Sequence, residues 1–273
     1  MFQPVLNSCI LGDVVSLARA YSVAYPFPHI VIDNFFEKAV ADMLALKVNA
    51  LQTLPVAFHS VAQKKKTISN LRAYPEAVAV FNRLMGSEIL AWLETVSNTE
   101  GLRTDERFAA AGFHRYEDGG FSEIHLDASH NPFDGNLYRR LALIVYLNRQ
   151  WRTDWGGELI LWSADNERPA EPARTIASLF NRAVIFSESK TSWHSVSSVR
   201  CPIGQARNSL MLYYYTFAST ADEESVARSN IWHSKRAWHI RVMLQLSNRA
   251  IMMAKPYARY LRWIRPNKFD AAY

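Results

Sequence analysis

The sequence has few cysteines and few glycines for its length. Two cysteines among 273 residues, Cys9 and Cys201, are too few for a disulfide framework or a thiolate metal site. Ten glycines and an aromatic content of 12% indicate a well-filled core and argue against a disordered or repetitive chain. No internal repeat or low-complexity segment stands out. We therefore expect either one large domain or two small ones.

Long apolar runs are also missing. No stretch approaches the roughly 20 consecutive apolar residues that span a bilayer. The opening MFQPVLNSCILGDVVSLARAY lacks the basic start and the long apolar stretch of a secretion signal. Together with the low cysteine count, these absences predict a cytoplasmic protein.

Positive charge is concentrated at one end of the sequence. The net charge is +6, but residues 230–273 contain nine basic residues and one acidic residue, so the first 229 residues carry −2. Aromatic residues lie between these cations, which favours packing of the tail over a pocket of the main domain. The alternatives are contact with an anionic partner, such as nucleic acid or a membrane surface, or only a solvated helix face. We predict a main domain over residues 1–228 and a basic, partly helical extension over residues 229–273.

The predicted main domain has a helical first part and a strand-rich second part. Apolar residues at helical spacing predict helices over residues 12–25, 34–54 and 74–98, with a short strand at 29–33 and a basic loop around Lys64–Lys66. These elements form a predicted helical support over residues 1–105. From about residue 111 to residue 217, short strands at regular spacing predict an antiparallel sandwich or barrel. The fold class is therefore α+β, with the helices packed on the sheet.

The stretch IHLDASHNP (124–132) places His125 and Asp127 two residues apart, at the end of an alternating apolar run. Side chains on a strand alternate between faces, so this imidazole and this carboxylate point the same way. Such a pair predicts a metal site that needs another ligand. His194 is the candidate, because in a double-stranded barrel a late strand returns beside an early one. Two imidazoles and one carboxylate form the facial triad of non-haem Fe(II) oxygenases.

An arginine follows the third predicted ligand. Arg207 stands thirteen residues after His194, at the start of the predicted strand NSLMLYYYT. Its guanidinium can hold a carboxylate by two parallel hydrogen bonds. Arg200 is an alternative that lies before Cys201-Pro202 and not at a strand start, so we rank it lower.

At this point the segment from about Pro26 to Thr216 resembles the Fe(II)- and 2-oxoglutarate-dependent oxygenases, and within them the prolyl-4-hydroxylase-like branch. The shared motifs are Tyr116 and Gly119 before the His-x-Asp pair, RRLALIVYLN (139–148), DWGGELILW (154–162), the FNR turn (180–182) and the opening PFPHIVIDNFF (26–36). The resemblance implies a double-stranded β-helix, a jelly-roll core of the cupin-like kind. The basic tail lies outside the resemblance.

The resemblance also implies roles for individual residues. His125, Asp127 and His194 would hold Fe(II). The cosubstrate 2-oxoglutarate would be bound by four residues: Arg207 and Tyr146 at its distal carboxylate, Tyr116 along the pocket wall, and Leu159 against its methylene carbons. Gly156 and Gly157 would allow close approach of the backbone.

The implied reaction converts 2-oxoglutarate and O₂ to succinate and CO₂ while an unactivated C–H bond is hydroxylated, with ascorbate as an expected reductant. Asp127 favours hydroxylation, because related halogenases have a small residue there. Two alternatives stay open: desaturation or cyclisation of a small metabolite on the same site, and a non-catalytic jelly-roll module that binds a carboxylate or metal. Measurement of succinate release would separate the last of these from an enzyme.

The sequence motifs leave two substrate classes open. A prolyl residue of a peptide or protein and a small amino-acid-like metabolite are equally compatible with the motifs, which describe only the iron and cosubstrate site. Candidate substrate contacts are His114, on the strand before the His-x-Asp pair, His130 and Asn131, in the loop after it, and Trp193, beside the third ligand.

Overall fold

The α-helices of the described residues lie in the first hundred positions. The computed structural model describes residues 5–50, 56–68, 71–108, 110–219, 228 and 230–234. Its helices are α1 (Ser8–Gly12), α2 (Val14–Ser22), α3 (Lys38–Ala50), α4 (Pro75–Leu84) and α5 (Ser87–Ser97), with 3-10 turns at Leu71–Ala73 and Thr153–Trp155. None of the described helices is both long and apolar enough to cross a membrane.

The strands belong to one antiparallel sheet. They are β1 (His29–Ile32), β2 (Val56–His59), β3 (Gln63–Ile68), β4 (Gly112–Tyr116), β5 (Phe121–Leu126), β6 (Leu137–Tyr146), β7 (Leu159–Asp165), β8 (Arg168–Ile176), β9 (Ala183–Ser187), β10 (His194–Val196), β11 (Arg207–Phe217) and β12 (Ile231–His233). Their spatial order is β1-β9-β6-β11-β4-β3-β5-β10-β7-β8, with β12 beside β5 and β2 beside β3. The sheet curls into a half-barrel, which confirms the predicted α+β double-stranded β-helix.

The two faces of the sheet have different partners. On the outer face, side chains such as Phe113, Leu143 and Leu212 pack against helix residues such as Phe81 and Leu44 in one large apolar core. A second cluster fills the inner face, and it includes Tyr146, Leu159, Phe186, Met211 and Tyr213. Because strand residues alternate between faces, β6, β9 and β11 each contribute to both clusters. The inner face is the one that carries the polar residues of the predicted site.

The prediction of a basic loop around Lys64–Lys66 is wrong, because these residues lie in β3. This strand pairs with β4 through Lys66 opposite Arg115 and with β5 through Lys64 opposite Phe121. It therefore separates two strands that the chain joins by a tight turn. The Lys64 ammonium donates to the Asp118 carbonyl oxygen (2.9 Å), and the Lys66 ammonium pairs with Glu117 (2.8 Å), so both are satisfied by that turn.

Two predicted boundaries also differ from the structure. The single helix predicted over 74–98 is two helices, because α4 ends before Met85 and Gly86 has extended backbone angles (φ −70°, ψ 155°) as the N-cap of α5. The sheet also continues past the predicted domain boundary at residue 228, since β12 pairs with β5. The rest of the predicted extension, residues 235–273 with their predicted helix, lies outside the described residues.

Candidate active site

Antiparallel pairing of β5 with β10 brings the three predicted metal ligands together. The register places His194 opposite His125, and Asp127 follows the last residue of β5. One ligand atom from each side chain lies within 4.8 Å of the others. The Nε2 atom of His125 is 3.7 Å from Asp127 Oδ1, and the Nε2 atom of His194 is 3.9 Å from Asp127 Oδ2. Three donors therefore converge on one point, as a facial triad requires.

Both imidazoles are oriented by backbone carbonyls. The Nδ1–H of His125 donates to the Glu123 carbonyl oxygen (2.8 Å), and the Nδ1–H of His194 donates to that of Ser192 (3.0 Å). A carbonyl oxygen only accepts, so Nδ1 carries the proton and the Nε2 lone pair points into the site. This arrangement around a ligand histidine is typical of metal sites.

Burial sets the charges of these groups. Burial and the neighbouring His194 lower the pKa of His125 to about 3, so its imidazole is neutral at physiological pH. Burial also acts to raise the pKa of Asp127, but the two imidazoles and Arg139 outweigh it and hold that pKa well below its usual range. A neutral imidazole at His125 and an ionised carboxylate at Asp127 are protonation states that suit a divalent cation.

Asp127 has two side-chain partners that the sequence motifs did not predict. The Tyr213 hydroxyl donates to Asp127 Oδ2 (2.7 Å), and Arg139 Nη1 lies 3.8 Å from the same oxygen. The Arg139 guanidinium also stacks over the Tyr213 ring at 3.6 Å. Strand alternation could have predicted Tyr213, because it lies six residues after Arg207 on β11 and therefore on the same face.

A second carboxyl group lies beside this cluster. Glu188 follows β9 and is buried, and burial together with the Asp127 charge raises its pKa well above the usual range. The Ser192 hydroxyl donates to its Oε2 atom at 3.5 Å. The raised pKa of Glu188 and the lowered pKa of Asp127 favour Asp127 as the anionic oxygen ligand of the site.

Arg207 lies at the inner end of the pocket with 2% of its surface exposed. Its Nε–H is shared between the Gly157 carbonyl oxygen (2.8 Å) and the Ser178 hydroxyl (3.1 Å), and its guanidinium faces the rings of Tyr146 and Tyr116 at 4.8 and 5.0 Å. No carboxylate pairs with it among the described residues. A buried guanidinium of this kind favours an anionic ligand.

The remaining predicted cosubstrate residues lie around Arg207. Tyr146 is fully buried beside it, and its hydroxyl makes no hydrogen bond of regular geometry within the described protein. Tyr116 is held by its hydroxyl contact with Ser122 (3.0 Å), and Leu159 is buried in the inner cluster with Tyr146. A buried tyrosine hydroxyl beside a buried guanidinium is a geometry that fits the carboxylate of 2-oxoglutarate.

The glycine pair before β7 makes room for the arginine. Gly157 has φ +75°, and a Cβ there would lie 3.3 Å from the Arg207 side chain and 3.1 Å from Val199. Gly156 has φ +71°, and a Cβ there would collide with the Ser198 carbonyl oxygen. The alternative cation, Arg200, is exposed at the surface. The geometry therefore favours Arg207 over Arg200.

Among the predicted substrate contacts, His114 is the one on the pocket side. Its ring is enclosed, although part of the residue remains accessible to solvent. Burial, followed by the charges of Lys65 and Arg207, holds its pKa well below the usual value. Thr67 lies opposite His114, so Lys65 shares this face and belongs to the pocket wall, a role that the loop prediction missed.

The other three predicted contacts have structural roles instead. Asn131 donates to Asp105 (2.8 Å) and accepts the N–H groups of Phe133 and Asp134, so its amide holds the loop together. His130 is buried, with its Nδ1 2.8 Å from the Ser129 hydroxyl. Trp193 packs on the opposite face of β5 and donates to the Glu167 carbonyl oxygen. These side chains therefore have local partners, and their contact with substrate stays a prediction.

Comparison with known proteins gives the same assignment as the geometry. Residues 111–215 match the model of the 2OG-Fe(II) oxygenase superfamily, and this range contains the whole triad and Arg207. Over this segment, 105 of the 273 residues, the chain is similar to the 2OG-Fe(II) oxygenase superfamily. Members of this superfamily use Fe(II), 2-oxoglutarate and O₂.

Three of the proteins to which this chain is similar are named as prolyl hydroxylases. The chain is 30% identical over 185 residues to the prolyl 3-hydroxylase OGFOD1 of Mus musculus. The aligned region covers 64% of this chain but only 30% of the mouse protein. A prolyl-4-hydroxylase of Pseudomonas putida matches with TM-score 0.52 at 18% identity, over 74% of this chain and all of the other. A prolyl hydroxylase of Trichoplax adhaerens, in complex with a hypoxia inducible factor peptide, matches with TM-score 0.54 at 17% identity, over 80% of this chain and 96% of the other. The two structural matches show the fold.

The hydrogen bond to Asp127 leads to a first prediction. Tyr213→Phe removes the donor that holds the carboxylate, so we expect affinity for Co(II), measured by calorimetric titration, to fall by about 10- to 100-fold. Tyr214→Phe is the matched control, because this neighbouring hydroxyl donates on the other face to the Leu84 carbonyl oxygen. Equal affinities for the two variants would contradict the role of Tyr213.

Proposed function

We propose that this protein is an Fe(II)- and 2-oxoglutarate-dependent hydroxylase. The observation that carries the proposal is the convergence of His125, Asp127 and His194 on the sheet face that also holds Arg207. Arg207 is buried, and no carboxylate of the described residues pairs with it. One such cluster without the other would fit many metal or anion sites. A dicarboxylate cosubstrate is the ligand that requires both.

The side chains of the site fit both a metal ion and 2-oxoglutarate. His125 Nε2, His194 Nε2 and an Asp127 oxygen would hold the metal, and Arg207 with the Tyr146 hydroxyl would bind the distal carboxylate of 2-oxoglutarate. The bound metal and cosubstrate supply the oxidising chemistry, in which substrate C–H, 2-oxoglutarate and O₂ yield substrate C–OH, succinate and CO₂. The protein contributes orientation: Tyr213 and Arg139 hold the carboxylate ligand, and the apolar inner cluster excludes water.

We also propose that the substrate is a prolyl residue of a peptide or protein. Support comes from the 30% identity to a prolyl 3-hydroxylase, although the chain spans only about 30% of that relative's length. Further proposals concern the setting of the reaction: ascorbate as reductant, a cytoplasmic location, and contact of the basic segment with an anionic partner. The two unpaired cysteines are compatible with a reducing compartment.

The second prediction tests the reaction class. With Fe(II) and 2-oxoglutarate, the wild-type protein should form succinate slowly even without substrate, and His125→Ala or His194→Ala should abolish this turnover, because each removes one of three ligands. Succinate is measured by mass spectrometry. A folded ligand variant with wild-type turnover would show that the metal lies elsewhere, and the absence of succinate from every sample would favour a non-catalytic module.

The third prediction distinguishes the two arginines. Arg207→Ala should raise the 2-oxoglutarate concentration needed for half-maximal succinate formation by about 30-fold or more, since truncating a buried cation that pairs with a ligand carboxylate costs about 2 kcal/mol or more. Arg200→Ala should change it little, because that side chain is exposed. Circular dichroism checks that both variants fold. The reverse ranking would transfer the role to Arg200.

The fourth prediction concerns the substrate. Proline-containing peptides should gain the mass of one oxygen in the presence of the protein, Fe(II) and 2-oxoglutarate, and alanine-substituted peptides should not. Free amino acids and related metabolites are tested in parallel. Oxidation of a free metabolite with no oxidised peptide would replace the prolyl proposal, and a product lighter by two hydrogens would indicate desaturation.

A further inference from the structure

A segment beyond the superfamily match returns to the metal strand. The match ends at residue 215, yet β12 pairs with β5 in the register Ile231 opposite Leu126, Trp232 opposite His125 and His233 opposite Ile124. β3 pairs with the same strand only at Phe121 and Ser122. β12 therefore occupies the part of the strand that carries the metal ligand.

The chain before β12 is fastened to the residues that follow Asp127. The Ala128 N–H donates to the Asn230 side-chain oxygen (2.9 Å). Arg228 and Ser129 exchange two bonds, in which the Ser129 N–H donates to the Arg228 carbonyl oxygen (3.0 Å) and the Arg228 N–H donates to the Ser129 hydroxyl (2.8 Å). Contacts on both sides of Asp127 thus fix the segment against the metal strand.

The pairing brings an indole onto the imidazole of His125. Residues opposite each other in an antiparallel pair share a face, and the rings of Trp232 and His125 are stacked with centroids 4.6 Å apart and 26° between their planes. On the other neighbouring strand, the ring of His194 lies 4.2 Å from the same imidazole. His125 is therefore flanked by rings from both of its neighbouring strands.

We propose that Trp232 is a positioning residue for the metal ligand His125. The indole restricts rotation of the imidazole plane, while the Glu123 carbonyl oxygen fixes its Nδ1–H, so Nε2 stays directed at the site. The proposal rests on the proposed function, because it assumes that His125 binds the catalytic metal. It assigns part of the metal site to a segment outside the superfamily match.

If the role of Trp232 is purely structural, a different experimental result is expected. If Trp232 only packs, its truncation lowers thermal stability but leaves the metal affinity of the folded protein unchanged. If it positions His125, truncation lowers metal affinity selectively, and phenylalanine restores most of it because a ring again covers the imidazole. Trp162 supplies a matched control, since it is also half-buried but packs with Ile124 and Leu126 on the opposite face of β5.

The experiment is a Co(II) titration of the full chain, freed of metal, by isothermal calorimetry. We expect Trp232→Ala to weaken Co(II) binding by about 10- to 100-fold, as is usual for residues that orient metal ligands. Trp232→Phe and Trp162→Ala should both stay near the wild-type affinity. Wild-type affinity in Trp232→Ala, or an equal loss in Trp162→Ala, would overturn the proposal while leaving the proposed function intact.

Tryptophan fluorescence provides a second readout in case Trp232→Ala does not fold. Co(II) should quench the wild-type emission, and the quenched fraction should be smaller in Trp232→Phe than in Trp162→Phe, because only the former lacks the indole beside the metal. Equal quenching in the two variants would overturn the proposal. A wild-type chain that binds no Co(II) would overturn the proposed function and this inference together.

Discussion

The buried charge of Asp127 is the constraint around which the site is arranged. A carboxylate with 5% exposure costs several kcal/mol unless it is paired and hydrogen-bonded. The Tyr213 hydroxyl and the Arg139 guanidinium supply part of this compensation. The two nearest histidines direct their Nε2 atoms at the site, because their Nδ1–H groups donate to backbone carbonyl oxygens. A divalent cation is the partner that satisfies all three groups at once.

The alternation of strand residues separates this chemistry from the structural core. On β11, Tyr213 reaches Asp127 on the inner face, while Tyr214 reaches the carbonyl oxygen of Leu84, the last residue of α4. The helices thus stabilise the outer face without entering the pocket. Polar residues such as Arg207 are held between apolar inner side chains, where a low dielectric strengthens their attraction for an anionic ligand.

Much of the site could be predicted from the sequence because its signals are local. His125 and Asp127 follow from strand alternation alone, while His194 and Arg207 follow from strand order and the family motifs. The strand nature of Lys64–Lys66 could not be predicted, because three consecutive lysines read as a solvated loop. Only pairing with β4 and β5 makes them a strand.

Two further differences have the same long-range origin. The position of Trp232 depends on pairing between residues that are far apart in the chain, which no local pattern encodes. Asn131 was predicted to contact substrate because it is polar and close to the ligands in sequence. Its amide also donates to Asp105 and accepts the N–H group of Phe133. This role in holding the loop depends on a residue 26 positions earlier in the chain, which no local pattern encodes.

The most direct test of the account is an anaerobic titration of Fe(II) and 2-oxoglutarate into the full chain, followed by visible absorption. Chelation of Fe(II) by a 2-oxoacid produces a metal-to-ligand charge-transfer band. The account predicts a band that needs both components, saturates at a single iron per chain and is lost in His194→Ala. Binding of Fe(II) without any band that depends on 2-oxoglutarate would contradict it.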